Sequence, residues 1–212
     1  MNSTRFLILG LSTLLLALFS FSSCDSDSVE PEFTYELTEE DDHGLAYMLE
    51  EEKLARDVYI SMYQMYDLMV FDNISNSEQG HMDAILELMK KYDIPDNSLP
   101  EIGKFSIEYL QQLYDDLIVA GSESELAALI VGATIEDVDI KDLNEFKAAT
   151  TNSDIIEVYD LLTCGSRNHM RAFIKQLDNA GEEYTPQFIT QEEFDEIING
   201  DKEMCGQNPV SN

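Results

Sequence analysis

The sequence predicts an all-α protein: a four-helix bundle with a long crossover between helices 2 and 3 and a short C-terminal extension. Three observations predict it. Apolar residues recur at three- and four-residue spacings through four long stretches, the period of a helix with one buried face. Ser, Thr and Gly stand where those stretches should start and stop. The connection between the second and third stretches carries Pro95, Pro100 and Gly103, and it is long enough to bring the chain back along the bundle.

The elements follow in order. Residues 1–23 carry one basic residue, Arg5, and then the apolar runs Phe6 to Leu9 and Leu11 to Phe21, the pattern of a signal peptide rather than of a core helix. The run ends Phe21-Ser22-Ser23-Cys24, similar to a bacterial lipobox, so Cys24 is the expected lipidation site. Residues 24–37 form an acidic tether without stop-transfer charges, which favours a lipid anchor over an uncleaved membrane anchor. A bundle is expected over 38–200 and a tail over 201–212.

The first long helix opens at Thr38, with Asp41 as its capping partner, and runs to about Asp67. Its stripe is Leu45, Met48, Ala55, Tyr59, Met62 and Tyr66, and Glu52 falls on it. The second runs from about Asp72 to Tyr92 and buries Ile74, Ile85, Leu88 and Met89, with Glu78 and His81 in register. A shorter helix, around Ser106 to Ala120, lies within the crossover. The third long helix is expected to begin at Ser122, capped with Glu125, and its stripe of Leu126, Leu129, Ala133 and Leu143 includes Glu136 and Asp139. The fourth, Ser153 to about Ala180, turns Ile155, Tyr159, Leu162, Phe173 and Leu177 inward, with Ser166 and His169 on the same line, and Gly181 closes it. Thr190 with Glu193 caps a last helix that packs outside the bundle through Phe194, Ile197 and Ile198.

Charge narrows the function. With 43 acidic against 12 basic residues the net charge is −31, which repels phosphates and so excludes nucleic acid, while it attracts divalent cations. Solubility alone is the simpler account of that charge. The charge therefore does not name a ligand. Cys164 and Cys205 remain once Cys24 is assigned to lipid; an oxidising compartment permits a disulfide between them, but sequence does not fix the distance their side chains must span. Cys164 sits about 200° around the helix from Ser166, pointing away from the ligand-type stripe.

All four stripes carry residues that bind metals. A Glu and a His three positions apart project from one helix face, as Glu78 and His81 do. A buried carboxylate must be neutralised by a proton, a basic partner or a metal. Lys53, Arg56 and Arg167 sit off the stripes, although Arg56 can fold back toward Glu52. Any one of these acids alone reads as a solvated flank, and either histidine alone as a hydrogen-bonded core residue. Their joint placement on four helices points to a metal centre.

Glu52-x-x-Ala55-Arg56-x-x-Tyr59, followed by Ser77-Glu78-x-x-His81, resembles the first helix pair of rubrerythrin-type ferritin-like proteins. Over about residues 40 to 200 the chain looks like the family called domain of unknown function 2202. Gly132-Ala133-x-Ile135-Glu136-x-x-Asp139-Ile140 and Gly165-Ser166-Arg167-Asn168-His169 look like that family's second half. The resemblance implies a ferritin-like bundle in which Glu52 is a terminal ligand, Glu78 a bridge and His81 the nitrogen ligand of one metal. Glu136 and His169 would serve the other, with Asp139 as an additional ligand and Tyr59 hydrogen-bonding a ligand from behind. Rubrerythrins carry a bridging Glu where this chain has Ser166.

The implied cofactor is divalent metal, iron first, with manganese or zinc also suited to this donor set. The implied substrates are O₂ or peroxide. No CxxC pair for a rubredoxin-type centre is present, so turnover needs an external reductant. Three functions fit: a lipid-anchored cell-envelope oxidase or peroxidase-like metalloprotein, a noncatalytic metal-sequestering lipoprotein, or a metal-free structural or interaction bundle.

Overall fold

The computed structural model describes residues 37–206. The predicted signal peptide, Cys24 and all of the tether except Leu37 lie outside the described residues, as does the end of the tail. Among the described residues there are six helices and no strand: α1 (Glu39–Tyr66), α2 (Met69–Lys91), α3 (Glu108–Gly121), α4 (Glu125–Ala149), α5 (Ser153–Ala180) and α6 (Gln191–Asn199). The helices α1, α2, α4 and α5 form the bundle, and α3 belongs to the crossover.

Short links make hairpins of α1 with α2 and of α4 with α5. The α1 cap is the capping box expected of Thr38 and Asp41, and α1 ends at Asp67 in the left-handed conformation with φ of 55°. That turn is so tight that α2 starts at Met69, ahead of Asp72, with no side-chain cap. Tyr47 near the start of α1 packs at a tilt against Phe146 near the end of α4, with ring centroids 5.6 Å apart, so these helices are antiparallel. The Tyr92 hydroxyl after α2 donates to Asp154 at the start of α5 at 2.6 Å, so this pair is antiparallel too. Consequently α2 and α4 run the same way, as the long crossover requires.

The expected start of the third long helix needs correction. Helix α4 begins at Glu125, and Ser124, not Ser122, caps it by accepting from the Ala127 N–H. Helix α3 continues to Gly121, which leaves Ser122 as its C-cap, with its hydroxyl donating to the Val119 carbonyl at 2.8 Å.

The run Glu50-Glu51-Glu52-Lys53 is buried throughout, its four members all at most 2 % exposed. Lys53 is off the bundle stripe but not in solvent, because the crossover covers it. Its Nζ donates to Asp57 at 2.5 Å and to the carbonyls of Glu101 and Lys104 at 2.9 and 3.0 Å. Asp57 also accepts from the Gly103 N–H at 2.9 Å, and Gly103 has φ of 72°, a conformation that favours glycine. Glu50 accepts from the Ser106 and Ile107 N–H groups at 3.0 and 3.1 Å. It thereby supplies the start of α3 with the carboxylate cap its own Ile107 lacks.

Two further polar ties hold the C-terminal part. Asp137, fully buried, accepts from the Tyr184 hydroxyl and from the N–H groups of Gln187, Phe188 and Ile189. Cys164 and Cys205 are joined in a disulfide with Cα atoms 5.6 Å apart, and Glu203 beside it pairs with Arg167 and Arg171. Phe194 and Ile197 of α6 are buried against the bundle, whereas Ile198 is half-buried. No described helix is long and apolar enough to cross a membrane.

Candidate metal centre

The bundle brings Glu52 from α1, Glu78 and His81 from α2, Glu136 and Asp139 from α4, and Ser166 and His169 from α5 into one buried region, each at most 8 % exposed. Glu78 stands between the two imidazoles, whose rings stack with centroids 5.5 Å apart. His81 Nδ1 lies 2.8 Å from one Glu78 oxygen and 3.0 Å from Glu52. His169 Nδ1 lies 2.9 Å from the other Glu78 oxygen and 3.5 Å from Glu136. Glu78, His81 and His169 offer three ligand atoms within 4.8 Å of one another.

These contacts are not a satisfied hydrogen-bond network. His81 Nδ1 can carry one hydrogen but faces two carboxylates, and only the Glu52 contact is a hydrogen bond. Glu52 Oε1, Glu78 Oε2, Asp139 Oδ1 and His169 Nδ1 are buried with no hydrogen-bond partner. Orphaned buried polar atoms cost about 1–3 kcal/mol each, and more when charged. Four of them converging on one small region is the arrangement a cation resolves, and the donor set fits iron, manganese or zinc.

Supporting contacts fix the ligand-type side chains. The Tyr59 hydroxyl donates to Glu136 at 2.5 Å, and Tyr59 itself is wedged against Phe71 and Phe173. The Ser166 hydroxyl donates to Asp139 at 2.5 Å, leaving the other Asp139 oxygen free to face inward. Ser77 bonds His169 Nε2 at 2.9 Å, which turns Nδ1 toward the carboxylates. Gly165 lets α5 approach His81: a Cβ there would lie 2.4 Å from Nε2. A groove of about 910 Å³ between α2 and α5 reaches both imidazoles and is also lined by Ser77 and Gly165.

Electrostatics follow from burial and crowding. Burial pushes Glu52 up to about 7, against the pull of His81. Burial would raise Glu78 as well, but His169 and His81 outweigh it and hold its carboxyl well below the usual range. Asp139 is pushed well up by burial and then by Glu52, Glu51 and Glu136. Burial raises Glu136, with His169 opposing. Burial opposes the charged form of His169, but Glu78 and Glu136 prevail and raise it to about 10. His81 is driven upward in the same way by Glu52 and Glu78. Among the described residues no arginine or lysine shares in this: Arg56 pairs with Asp57 and Gln79 rather than folding back to Glu52, and Arg167 pairs with Glu203.

Sequence reasoning missed three contributors. Ser77 was visible only as the residue before Glu78, and its bond crosses to another helix. Gly165 carries no ligand atom, so only the closeness of α5 to His81 reveals it. Glu51 is not among the stripe residues, yet it is 2 % exposed with both oxygens unpartnered.

Fold and site together define an all-helical bundle whose core encloses a carboxylate–imidazole cluster able to take a metal ion. The family described as "Uncharacterized protein domain (DUF2202)" matches residues 41–201, and the chain belongs to it. The chain is similar to "Uncharacterized protein MJ0754" of Methanocaldococcus jannaschii, at 51% identity over 168 residues, 79% of this chain and 91% of that protein. The crystal structure of hypothetical protein MJ0754 from Methanococcus jannaschii DSM 2661 matches with a TM-score of 0.79 at 50% identity, covering 80% of this chain and 97% of that one.

Proposed function

We propose that the chain is a ferritin-like carboxylate protein that holds two divalent ions, iron first, and acts as an oxidase or peroxidase-like protein of a bacterial cell envelope, anchored by lipid on Cys24. The observation that carries this reading is the convergence of orphaned Glu52, Glu78, Asp139 and His169 atoms on a region where one carboxylate, Glu78, touches both imidazoles. Bound iron would supply one electron per ion toward O₂ or peroxide. The chain's own residues have separate tasks. Glu78 would be shared between the ions, Glu52 and His81 would hold one, and Glu136 and His169 the other. Tyr59 and Ser77 hold Glu136 and His169 in orientation, and burial keeps bulk water from the carboxylates. The Cys164–Cys205 disulfide supports a compartment outside the reducing cytoplasm.

One observation favours the noncatalytic, metal-sequestering reading. Ser166 spends its hydroxyl on Asp139 and on the Leu162 carbonyl, so the second bridge of an oxygen-activating centre is replaced by a hydrogen-bonded pair. Two experiments decide. Elemental analysis and chelation of the purified chain test metal binding; no bound metal and no loss of stability on chelation would remove both metal readings. Anaerobic Fe²⁺ loading followed by O₂ or peroxide tests turnover, and an oxidation rate unaltered by Glu78→Ala or His81→Ala would leave only sequestration.

A further inference from the structure

The segment after α6 adds nothing to the core, yet it is tied firmly to α5. None of residues 200–206 is buried, and Met204 is 71 % exposed. Cys205 is joined to Cys164 with Cα atoms 5.6 Å apart. Glu203 accepts from Arg167 at 2.8 Å and from Arg171 at 2.9 Å. Its N–H donates to Asn168 Oδ1 at 2.9 Å, and its carbonyl accepts from Asn168 Nδ2 at 3.1 Å. These ties hold a wall in place. Lys202, Glu203 and Cys205 line the groove of about 910 Å³ that reaches His81 and His169, whose own exposure is 7 % and 8 %. At its other end the disulfide is rooted beside the same groove, because Cys164 immediately precedes Gly165, the residue that makes room for His81 Nε2.

We propose that the Cys164–Cys205 pair is a reversible redox latch, and that its reduction by an external dithiol frees residues 200–206 and opens the groove to both imidazoles. The sulfurs can be reached. A cavity of about 580 Å³ on the surface is lined by both cysteines together with Leu161 and Met204, and neither cysteine is buried; accessible disulfides are the ones that exchange. One thiolate of the dithiol attacks a sulfur of the pair, and its second thiol then displaces the mixed disulfide. The chain is left with two protonated cysteines and the external dithiol leaves as a disulfide, two electrons having passed between them. Opening need not disturb the bundle. Helix α6 is seated by buried Phe194 and Ile197, and Asp137 holds the chain just before it through the N–H groups of Phe188 and Ile189. Beyond α6, the reduced segment keeps partly exposed ion pairs and amide bonds, which hold weakly, so it detaches locally while the helices stay packed. Exchange at the centre then follows the redox state of the surroundings, slow when the pair is oxidised and fast when it is reduced.

The latch rests on the proposed function for its purpose, since the groove serves that centre, but its geometry stands without metal. The test therefore uses the metal-free chain. A neutral gadolinium chelate speeds the relaxation of protons near solvent, and NMR of the imidazole ring protons reads that effect residue by residue. Reduction with a dithiol should raise the effect on His81 and His169 by about twofold or more, as local opening requires, and Cys164→Ser with Cys205→Ser should do the same without reductant. His43, which lines a different cavity with Glu40 and Phe146, should not change. Equal relaxation of His81 and His169 in the oxidised and reduced chains would overturn the proposal, because residues 200–206 would not be what limits access. Loss of helical circular dichroism on reduction, with His43 altered too, would overturn it as well and make the disulfide a staple of the fold. Metal binding is measured separately by Mn²⁺ titration: a chain that binds none removes the proposed function, while the ring protons still decide the latch.

Discussion

Gly165→Ala tests how closely α5 sets the imidazole of His81. The added Cβ would lie 2.4 Å from Nε2 and 2.6 Å from Cε1, so the ring must retreat by about 1 Å to reach normal contact. Retreat is blocked, because Nδ1 on its far side is already 2.8 and 3.0 Å from Glu78 and Glu52. The ring must therefore rotate away from its rotamer, at about 0.5–1.5 kcal/mol, with about 1–3 kcal/mol of overpacking. Replacing a mid-helix glycine returns about 0.5–1 kcal/mol. The net loss of stability, on the order of 1–3 kcal/mol, lowers the melting temperature by about 2–4 °C per kcal/mol. Metal binding should suffer more, since a misoriented ligand costs about 10- to 100-fold in affinity. Gly80→Ala is the control: also helical, it meets nothing within 4 Å and should be neutral or slightly stabilising. Thermal melts and Mn²⁺ titrations of both variants decide; Gly165→Ala behaving like Gly80→Ala would refute the geometric argument.

Ser166→Ala removes the donor to Asp139 and leaves both of its buried oxygens unpartnered, which should destabilise the metal-free chain by about 1–3 kcal/mol in denaturant unfolding. Ser166→Glu, which sequence alone would recommend as restoring a bridge, adds a carboxylate against Asp139 and should destabilise the metal-free chain further, with metal addition reversing the loss. The pH dependence has a definite sign: His169, raised to about 10, contributes stability that is full below its ordinary 6.5 and is lost as pH rises through about 10. Calorimetry should show the metal-free chain weakening over that window. Cations must displace that proton and, below about 7, the Glu52 proton as well, so Mn²⁺ affinity should climb from pH 6 to 8; a flat profile contradicts the assignment of these ligands. Reducing the disulfide opens a loop with a sequence separation of 41 and should lower stability by about 4 kcal/mol on loop entropy, measured as the melting temperature with and without reductant.

The helices were legible because their caps and stripes obey local rules: Thr38 with Asp41, Thr190 with Glu193, and Gly181 in the left-handed conformation. Glu52, Glu78, His81, Glu136, Asp139 and His169 could be picked out because each falls on a stripe that is otherwise apolar. Periodicity assumes one wet face, and α1 has no exposed residue between Gly44 and Tyr63. The crossover covers the face bearing Glu50 and Lys53, while α4 covers Glu51, and those coverings depend on residues about 50 and 90 positions away in the chain. Ser122 and Ser124 both match an N-cap rule, and only the length of α3 selects between them.

One turn of α1, Glu50 to Lys53, serves as a shared axle. Glu50 and Lys53 clamp the crossover, Glu52 touches His81, and Glu51 looks toward α4. A cation bound at Glu52 would therefore stiffen the same backbone that grips residues 101–107. On the proposed function, amide exchange in that crossover would be a remote gauge of metal loading, and a protease cut there should loosen the grip on metal as surely as a change to a ligand.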